Sequence, residues 1–301
     1  MSASNEAEGY MSDLTGKVYI ITGANSGIGF AAAENFAKRG AEVVMVCRSL
    51  VKATEARKKI VASSGNETVR IEIADFSSLA SVNQLGQKLA ERYEKIDVLC
   101  NNAGGANGSR EVTAEGFEKT FVTNHLSGFL LTKHLLPALL RSAEEGSARA
   151  VFTSSLGHKN SPLNFEDLNM VEGYGTLKAY GRSKLMNLLT ARELHRRYGD
   201  KNLICSSFHP GAVRTGIWGK GGILATILGF VMYPFMWTVE KGADTFIWLA
   251  SSDEEGPVSA AGNYFFDRRQ VSIAKFATDE AAEELWRISE QLIAPFHSLE
   301  K

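Results

Sequence analysis

Residues 18–29 of the chain read VYIITGANSGIG, an apolar, β-branched run that leads directly into a glycine-rich turn. A run of small and apolar residues with helical spacing follows at once. Glycines let a chain turn tightly and approach a bound group closely, and the first N–H groups of a helix attract an anion. An ordinary turn also contains glycine, but the place of this one between a strand and a helix favours a pyrophosphate site. The residues of this predicted site are Gly23, Asn25, Ser26, Gly27, Ile28 and Gly29.

The rest of the chain repeats the alternation of strand and helix. Short β-branched runs occur at residues 18–22, 42–47, 69–74, 97–101, 148–154 and 203–208, with amphipathic helical patterns between them. Such alternation predicts a single domain of the α/β class, a Rossmann-type, doubly wound parallel sheet with helices on both faces. We divide the predicted domain (1–301) into a flexible N-terminus (1–14), a mainly nucleotide-binding half (15–110), a catalytic and substrate half (111–270) and a C-terminal helix and tail (271–301).

Composition excludes several classes of protein. The 301 residues carry 33 Lys+Arg and 34 Asp+Glu, and 44% of them are hydrophobic, which is typical of a globular chain. The net charge of −1 argues against a nucleic-acid partner, which requires a basic surface. Cys47, Cys100 and Cys205 each end an apolar run, so we predict buried thiols at strand ends, with no disulfide framework and no metal site. Sparse cysteines and an N-terminus without an apolar core predict a cytoplasmic or cytosol-facing protein.

Two pairs in the second half of the chain have the spacing Tyr-x3-Lys, namely Tyr174 with Lys178 and Tyr180 with Lys184. Residues four apart share one face of a helix, and a nearby cation favours the ionised form of a phenol, which makes it an acid or base near neutral pH. Spacing alone does not choose between the pairs. Glycines on both sides of Tyr174 disfavour a helix there. Tyr180 opens a clearly amphipathic run, so we choose Tyr180 and Lys184.

Three motifs in this order resemble the short-chain dehydrogenase/reductase superfamily: the Gly-x3-Gly-x-Gly loop, the sequence NNAG at 101–104, and Tyr180-x3-Lys184. The resemblance covers about residues 15–270. It implies an oxidoreductase in which Tyr180 exchanges a proton with a carbonyl or alcohol oxygen while a hydride moves to or from a nicotinamide, without a metal ion. It also implies that Lys184 binds the nicotinamide ribose and lowers the pKa of Tyr180.

The resemblance assigns two further catalytic residues. Ser155, ahead of its neighbour Ser154, matches the serine that hydrogen-bonds the substrate carbonyl, and an ordinary serine at a strand end is the alternative. Asn124 matches a helix asparagine that positions a water molecule linked to Lys184. The implied catalytic set is therefore Asn124, Ser155, Tyr180 and Lys184.

The end of the second predicted strand indicates the choice of cofactor. An acidic residue there would bind the ribose hydroxyls of NAD(H), whereas this chain has Arg48 and no carboxylate. The forked guanidinium of Arg48 suits a 2′-phosphate, so NADP(H) is preferred, and an arginine in a solvated loop is the alternative. A second basic residue in the glycine loop, common in NADP-preferring relatives, is absent, so NAD(H) stays open. The other cofactor residues that the resemblance implies are Asp75, Phe76, Asn102, Ala103, Gly104, Tyr180, Lys184, Pro210, Gly211, Val213 and Thr215.

Residues 221–239 contain no charged side chain. Their number approaches that of a membrane-spanning helix, but Gly229 and Pro234 interrupt the run, and the predicted helix and strand that follow belong to the same sheet. We therefore predict an apolar lid at about 216–238 that covers the substrate pocket and makes peripheral contact with a membrane surface. A buried helix and a membrane span are the alternatives.

An apolar lid implies a lipophilic carbonyl or alcohol as substrate, of retinoid, steroid or fatty-aldehyde type. The long separation of Ser155 and Tyr180 and the sequence GADT at 242–245 resemble the retinol-dehydrogenase-like branch, and GNYFFDRR at 262–269 is most similar to the member-twelve type. Protochlorophyllide reductases share the glycine loop and Tyr-x3-Lys and are a further alternative. A non-catalytic NADP(H)-binding interaction or sensor protein could use the same fold, although the catalytic set is intact. The superfamily also includes homo-oligomers, which leaves that assembly open here.

Overall fold

The computed structural model describes residues 12–213 and 237–297 of the chain. The strands within these ranges form one sheet in the order β3-β2-β1-β4-β5-β6-β7-β8. Neighbouring strands are parallel except for β7 and β8, which are antiparallel. The strands are β1 (Val18–Thr22), β2 (Glu42–Cys47), β3 (Val69–Ile73), β4 (Val98–Asn101), β5 (Ala148–Thr153), β6 (Leu203–Phe208), β7 (Tyr264–Phe266) and β8 (Arg269–Gln270).

Helices connect the strands and cover the sheet. Helix α4 is continuous and has three stretches, Lys119–Phe121, a π-helical turn at Val122–Leu126, and Ser127–Glu144. The other helices are α1 (Gly27–Lys38), α2 (Leu50–Ser64), α3 (Leu79–Arg92), α5 (Thr176–Tyr198), α6 (Val239–Ser251), α7 (Glu255–Ser259) and α8 (Asp279–Ile293). Short 3-10 turns occur at Leu156–Asn160, Gly199–Lys201 and Ala294–Phe296.

Both faces of the sheet are buried. Ile20 of β1 and Leu99 of β4 belong to one core, together with residues of α3, α4, α5 and α8. Their neighbours Ile21 and Cys100 belong to a second core, together with residues of α1, α2 and α6. A strand that is buried on both faces needs apolar side chains at successive positions, which explains why these runs are continuously apolar. The predicted α/β class with a doubly wound parallel sheet and helices on both faces is confirmed.

The strand order determines where a ligand can bind. From β1 the chain moves outward through β2 and β3, and it then crosses to β4 on the other side of β1. The connections that follow β1 and β4 therefore run in opposite directions, and a crevice opens at the carboxyl ends of these strands. The glycine loop, Arg48, residues 101–104 and Ser155 all follow strands that end at this edge.

Residues 12–14 of the predicted N-terminus contact the rest of the domain, because Leu14 is buried and the Ser12 hydroxyl donates to the Ser251 carbonyl at 3.3 Å; residues 1–11 lie outside the described residues. The bounds of β3, β4 and β5 each differ from the prediction by one residue. All three cysteines are buried and free, but Cys205 is the third residue of β6 and does not end it. Helix α5 begins four residues before Tyr180, which therefore lies in its second turn.

The prediction also lacked strand β8, for a physical reason. Asp267 and Arg268 form the two-residue turn between β7 and β8 with φ angles of 51° and 57°. Turns of this kind usually contain glycine or asparagine, so the sequence has no hairpin signal here. Contacts with α6 hold the turn, since Lys241 pairs with Asp267 and Asp244 pairs with Arg268, both at 2.5 Å.

Candidate active site

The glycine loop packs closely against the segment that follows β4. Gly23 and Gly27 have φ angles of 70° and 56°, a region that favours glycine. At Gly29, a Cβ atom would lie 2.5 Å from the Gly23 carbonyl oxygen and 2.6 Å from Nδ2 of Asn102. A side chain at position 29 would therefore push the loop away from Asn102.

The N-terminus of α1 fits a phosphate group. Its N-cap residue, Ser26, is extended and makes no capping hydrogen bond with its side chain, and the first turn contains no acidic residue. The first N–H groups of a helix have no partner within the helix and carry the positive end of its dipole. The loop thus has the donors and the space that the pyrophosphate of a dinucleotide requires.

Thr22, the last residue of β1, joins the two sides of the crevice. Its hydroxyl accepts from the backbone N–H groups of Asn102 and Ala103, both at 2.9 Å, and donates to the Cys100 carbonyl at 3.2 Å. Nδ2 of Asn102 donates to the Thr22 carbonyl at 2.9 Å, and Oδ1 of Asn102 accepts from the Thr153 hydroxyl at 3.2 Å. The sequence prediction missed Thr22, whose one signal is its place directly before the first glycine of the loop.

The residues predicted for the adenosine end of the cofactor follow β2 and β3. Arg48 is exposed directly after β2, and neither of its chain neighbours is acidic. Oδ1 of Asp75 accepts from the N–H and the hydroxyl of Ser77, at 2.9 and 2.8 Å. Phe76 is buried, and its carbonyl accepts from the Ser127 hydroxyl at 2.7 Å. The Asp75 carboxylate is thus oriented by the turn that follows it, and Arg48 presents a cation to solvent at the same edge.

Tyr180 and Ser155 form the centre of the site. Ser155 lies just after β5, where its hydroxyl accepts from the Gly157 N–H at 3.2 Å. A hydrogen bond with Ser155 lowers the pKa of the Tyr180 phenol, but burial is the larger effect and raises that pKa above its usual value. Nζ of Lys184 lies 5.5 Å from the centroid of the Tyr180 ring. The net direction of the Tyr180 pKa shift is therefore upward, because burial disfavours the phenolate more than Ser155 stabilises it.

Lys184, on α5, is buried against the end of β5. Its Nζ donates to the Thr153 carbonyl at 3.0 Å, and burial lowers its pKa to about 8. A Cβ atom at Gly104 would lie 3.3 Å from this Nζ and 3.0 Å from Oδ1 of Asn124. Glycine at position 104 therefore allows the backbone to approach both side chains closely.

Asn124 lies in the π-helical turn of α4, a feature that often marks functional sites. Its Oδ1 accepts from the Gly105 N–H at 2.9 Å, and its Nδ2 donates to the Gly105 carbonyl and to the Ser183 hydroxyl, both at 2.8 Å. The Ser183 hydroxyl in turn donates to the Tyr180 carbonyl at 2.7 Å. Both amide N–H groups of Asn124 are thus used within the chain, so its side chain anchors residues 104–105 and helix α5.

The structure separates the alternatives that spacing left open. Tyr174 precedes α5, and its hydroxyl donates to the Asn107 carbonyl at 3.1 Å, whereas Tyr180 and Lys184 are one turn apart within α5. Ser154 is buried, and its hydroxyl donates to the Lys184 carbonyl at 2.7 Å. The Tyr174 and Ser154 hydroxyls are thus both bonded to backbone carbonyls.

The segment predicted to pass the nicotinamide follows β6. Gly211 has a φ angle of 83°, and a Cβ atom there would lie 2.7 Å from the ring of Trp237. Val213 and Trp237 form an isolated parallel β-bridge, and the Trp237 N–H donates to the Ala212 carbonyl at 2.8 Å. Pro210, Gly211 and Val213 therefore lie beside the start of α6. Thr215 lies outside the described residues. So does the predicted lid at about 216–238, except for its last two residues.

Within residues 12–213 and 237–297, no helix is long and apolar enough to cross a membrane. The same residues contain no group of three His, Cys, Asp or Glu side chains that could hold a metal ion.

A doubly wound sheet with a glycine loop and a Tyr-x3-Lys helix at its crevice defines a Rossmann-fold oxidoreductase. Residues 17–221 match the family described as short chain dehydrogenase, and the chain belongs to this family. The superfamily that the three motifs predicted is thereby confirmed.

Several named proteins are similar over most of the chain. DnrU of Streptomyces sp. (strain C5), named as a candidate daunorubicin C-13 ketoreductase, is 39% identical over 278 residues, 92% of each protein. Retinol dehydrogenase 14 of Mus musculus is 39% identical over 293 residues, 92% of this chain and 86% of its own length. Retinol dehydrogenase 12 of Mus musculus is 36% identical over 281 residues, with 93% and 87% covered. These values confirm the predicted similarity to retinol dehydrogenases.

Solved structures have the same fold. An uncharacterised protein of Mycobacterium paratuberculosis gives a TM-score of 0.73 at 31% identity, covering 94% of this chain and 96% of its own. The Pseudomonas aeruginosa RhlG/NADP active-site complex gives a TM-score of 0.67 at 25% identity, covering 89% and 99%. The chain is therefore an oxidoreductase of the short chain dehydrogenase family, and its fold is one that binds nicotinamide cofactors.

Proposed function

We propose that the protein is an NADP(H)-dependent oxidoreductase that reduces a lipophilic aldehyde or ketone, or oxidises the corresponding alcohol. The observation that carries this proposal is that Tyr180, Lys184 and Ser155 lie at the edge of the sheet where the glycine loop lies, with Nζ of Lys184 5.5 Å from the centroid of the Tyr180 ring. The nicotinamide cofactor supplies or accepts the hydride when it is bound.

The polar groups of the site have separate tasks in this reaction. The Ser155 hydroxyl hydrogen-bonds the carbonyl oxygen, and Tyr180 donates its proton to that oxygen during reduction. The Lys184 ammonium binds the nicotinamide ribose and stabilises the phenolate that Tyr180 becomes. In the oxidation direction the Tyr180 phenolate takes the alcohol proton. Asn124 keeps residues 104–105 and α5 in place around these groups.

The preference for NADP(H) rests on Arg48. An exposed arginine directly after β2, without an acidic neighbour in sequence, suits a 2′-phosphate better than a pair of ribose hydroxyls. Residues 23–29 and the first N–H groups of α1 bind the pyrophosphate, and Asp75, Asn102 and Ala103 line the adenosine. NAD(H) is the second cofactor in this proposal.

The lipophilic substrate class rests on the surroundings of the catalytic pair. Leu156, directly after Ser155, is 50% exposed, and Leu177, one turn before Tyr180 on α5, is 83% exposed. Apolar side chains left in solvent beside polar reacting groups suit an apolar substrate. The names of the retinol dehydrogenases and of the ketoreductase are in keeping with such substrates.

The proposal also includes where in the cell the protein is located. Three free, buried cysteines support a reducing, cytosol-facing location. The contact of residues 221–239 with a membrane surface and the formation of a homo-oligomer stay predictions.

The experiment is a carbonyl panel from short aldehydes to retinal, fatty aldehydes and steroid ketones, with NADPH and NADH oxidation as the readout. Tyr180→Phe serves as the blank and Tyr174→Phe as its matched control. We expect turnover with long apolar carbonyls and NADPH in the wild type and in Tyr174→Phe. NADPH binding without turnover on any member of the panel would instead favour the non-catalytic interaction or sensor protein.

A further inference from the structure

The carbonyl oxygen of Thr153 accepts two hydrogen bonds at the centre of the site. Nζ of Lys184 and Nδ2 of Asn187 each lie 3.0 Å from it. A carbonyl oxygen has two lone pairs, so these two donors fill both. The two nitrogen atoms are therefore separated by at most twice that distance.

Asn187 and Lys184 are both almost fully buried, with 4% and 3% of their surface exposed. They lie three residues apart on α5, on the face that contacts the end of β5. A buried ammonium group and a buried amide group each need an acceptor, because an unpaired polar group in the interior is costly. The Thr153 carbonyl serves both.

The ammonium of Lys184 has neighbours on its other sides as well. The backbone of Gly104 approaches closely, since a Cβ atom there would lie 3.3 Å from Nζ, and the Tyr180 ring centroid lies 5.5 Å away. The ammonium can bind the Thr153 carbonyl oxygen from more than one direction. That direction decides whether its remaining N–H groups face the reacting groups.

We propose that Asn187 is a positioning residue for Lys184. By filling one lone pair of the Thr153 carbonyl, the Asn187 amide confines the Lys184 ammonium to the other, between Gly104 and Tyr180. Without the amide, the ammonium can also bind at the other lone pair of the same oxygen, away from the reacting groups. This inference rests on the proposed function, in which Lys184 serves both the nicotinamide ribose and Tyr180.

The first test uses the protein without cofactor. Asn187→Asp keeps the size of the side chain and replaces the amide donor with a carboxylate that pairs with the ammonium itself. Burial lowers the pKa of Lys184 to about 8 in the wild type, and NMR of its labelled Nζ and Cε atoms measures this value directly. We expect Asn187→Asp to raise the Lys184 pKa by about one unit or more, because an adjacent carboxylate favours the ammonium form.

The second test removes the donor without adding charge. We expect Asn187→Leu to lower kcat roughly tenfold, because small displacements of catalytic groups have large effects on rate. NADPH binding, followed by cofactor fluorescence, should weaken about threefold or more in the same variant, since the displaced ammonium also leaves the ribose.

Asn83→Leu is the matched control. It makes the same change of residue type on a different helix, α3, where it removes the hydrogen bond between Oδ1 of Asn83 and Nε2 of His134 at 2.9 Å. We expect it to lower the stability of the protein and to leave kcat and NADPH affinity within about twofold of wild type.

Two results would overturn the proposal: an unchanged Lys184 pKa in Asn187→Asp, or wild-type kcat and NADPH affinity in Asn187→Leu. If Asn187→Leu does not fold, Asn187→Asp decides alone, because it preserves the shape of the residue. If the wild type turns over no carbonyl at all, the proposed function fails, while the Lys184 pKa in the cofactor-free protein still tests the role of Asn187.

Discussion

The two sides of the crevice are held together in different ways. Around the glycine loop, backbone meets backbone, as at Gly29, where even a Cβ atom would lie 2.5 Å from a carbonyl oxygen. Around Lys184, buried polar side chains make the contacts: Lys184 and Asn187 both donate to the Thr153 carbonyl, and Asn124 donates to the Ser183 hydroxyl. The size of a substituted residue should therefore matter most on the first side, whereas its charge and hydrogen bonding should matter most on the second.

The largest effect should come from a change that alters chemistry but hardly alters size. Tyr180→Phe removes only the hydroxyl that is hydrogen-bonded to Ser155. We expect kcat to fall roughly 10²-fold or more, since a general acid is lost, while NADPH still binds in a fluorescence titration. Tyr174→Phe is the control, because its hydroxyl donates to a backbone carbonyl outside the site. Loss of activity in the control alone would show that the wrong tyrosine was assigned.

A smaller but distinct effect should come from a change of size on the nucleotide side. Gly29→Ala places a Cβ atom against the Gly23 carbonyl and Asn102. We expect NADPH affinity to fall about tenfold or more, with kcat at saturating NADPH less affected, because misplaced N–H groups weaken phosphate binding first. Gly146→Ala, at a glycine with no atom within 4 Å of the added Cβ, is the control and should bind NADPH normally. Equal losses of affinity in both variants would refute the close-packing explanation.

Cofactor preference provides a charge test on the nucleotide side. Arg48→Asp replaces an exposed cation after β2 with the residue type that suits NAD(H). The ratio of kcat/KM for NADPH to that for NADH should drop by roughly tenfold or more, since a charge-assisted contact with the 2′-phosphate becomes a repulsion. Lys58→Asp makes the same change of charge at an exposed position of α2 and should leave the ratio within about twofold. An unchanged ratio in Arg48→Asp would remove Arg48 from the cofactor site.

The smallest expected effect is on the pH dependence of stability. Lys184 has a pKa of about 8 in the folded protein, below its usual value of 10.5. Between these values the unfolded chain binds a proton that the folded chain has lost, so the free energy of unfolding that Lys184 contributes rises with pH. Below pH 8 both states are protonated and this gain is absent.

Comparison with Lys184→Met isolates this contribution, because the titration of cysteines and tyrosines cancels between the two proteins. The stability of the wild type relative to Lys184→Met, from urea unfolding at several pH values, should increase from pH 8 towards pH 10. A flat difference across that range would mean that the ammonium of Lys184 is solvated.

Much of the architecture is readable from the sequence, because it depends on local patterns. Short, mostly apolar runs predict β1, β2 and β6 with the bounds that these strands have in the structure. The face shared by Tyr180 and Lys184 follows from helical periodicity alone. No such pattern marks the π-helical turn around Asn124, whose side chain bonds Gly105 and Ser183, residues distant along the chain.

The residues that sequence reasoning missed are of ordinary polar types. Thr153 and Asn187 acquire their roles from which strands and helices become neighbours, and no spacing along the chain marks them. Thr22 and Ser183 lie next to motif residues, but their contacts with Asn102 and Asn124 do not follow from that position. The direction of the Tyr180 pKa shift was also beyond the sequence, since it depends on how much water the folded protein excludes from the phenol.

The bridge between Val213 and Trp237 has a consequence for how the family can vary. The bridge holds these two residues side by side after β6, so both ends of the stretch between them are fixed at one place. A change in the length of that stretch need not alter the register of the described strands. We therefore expect an exchange of residues 214–236 between relatives to leave Tyr180 and Ser155 in place.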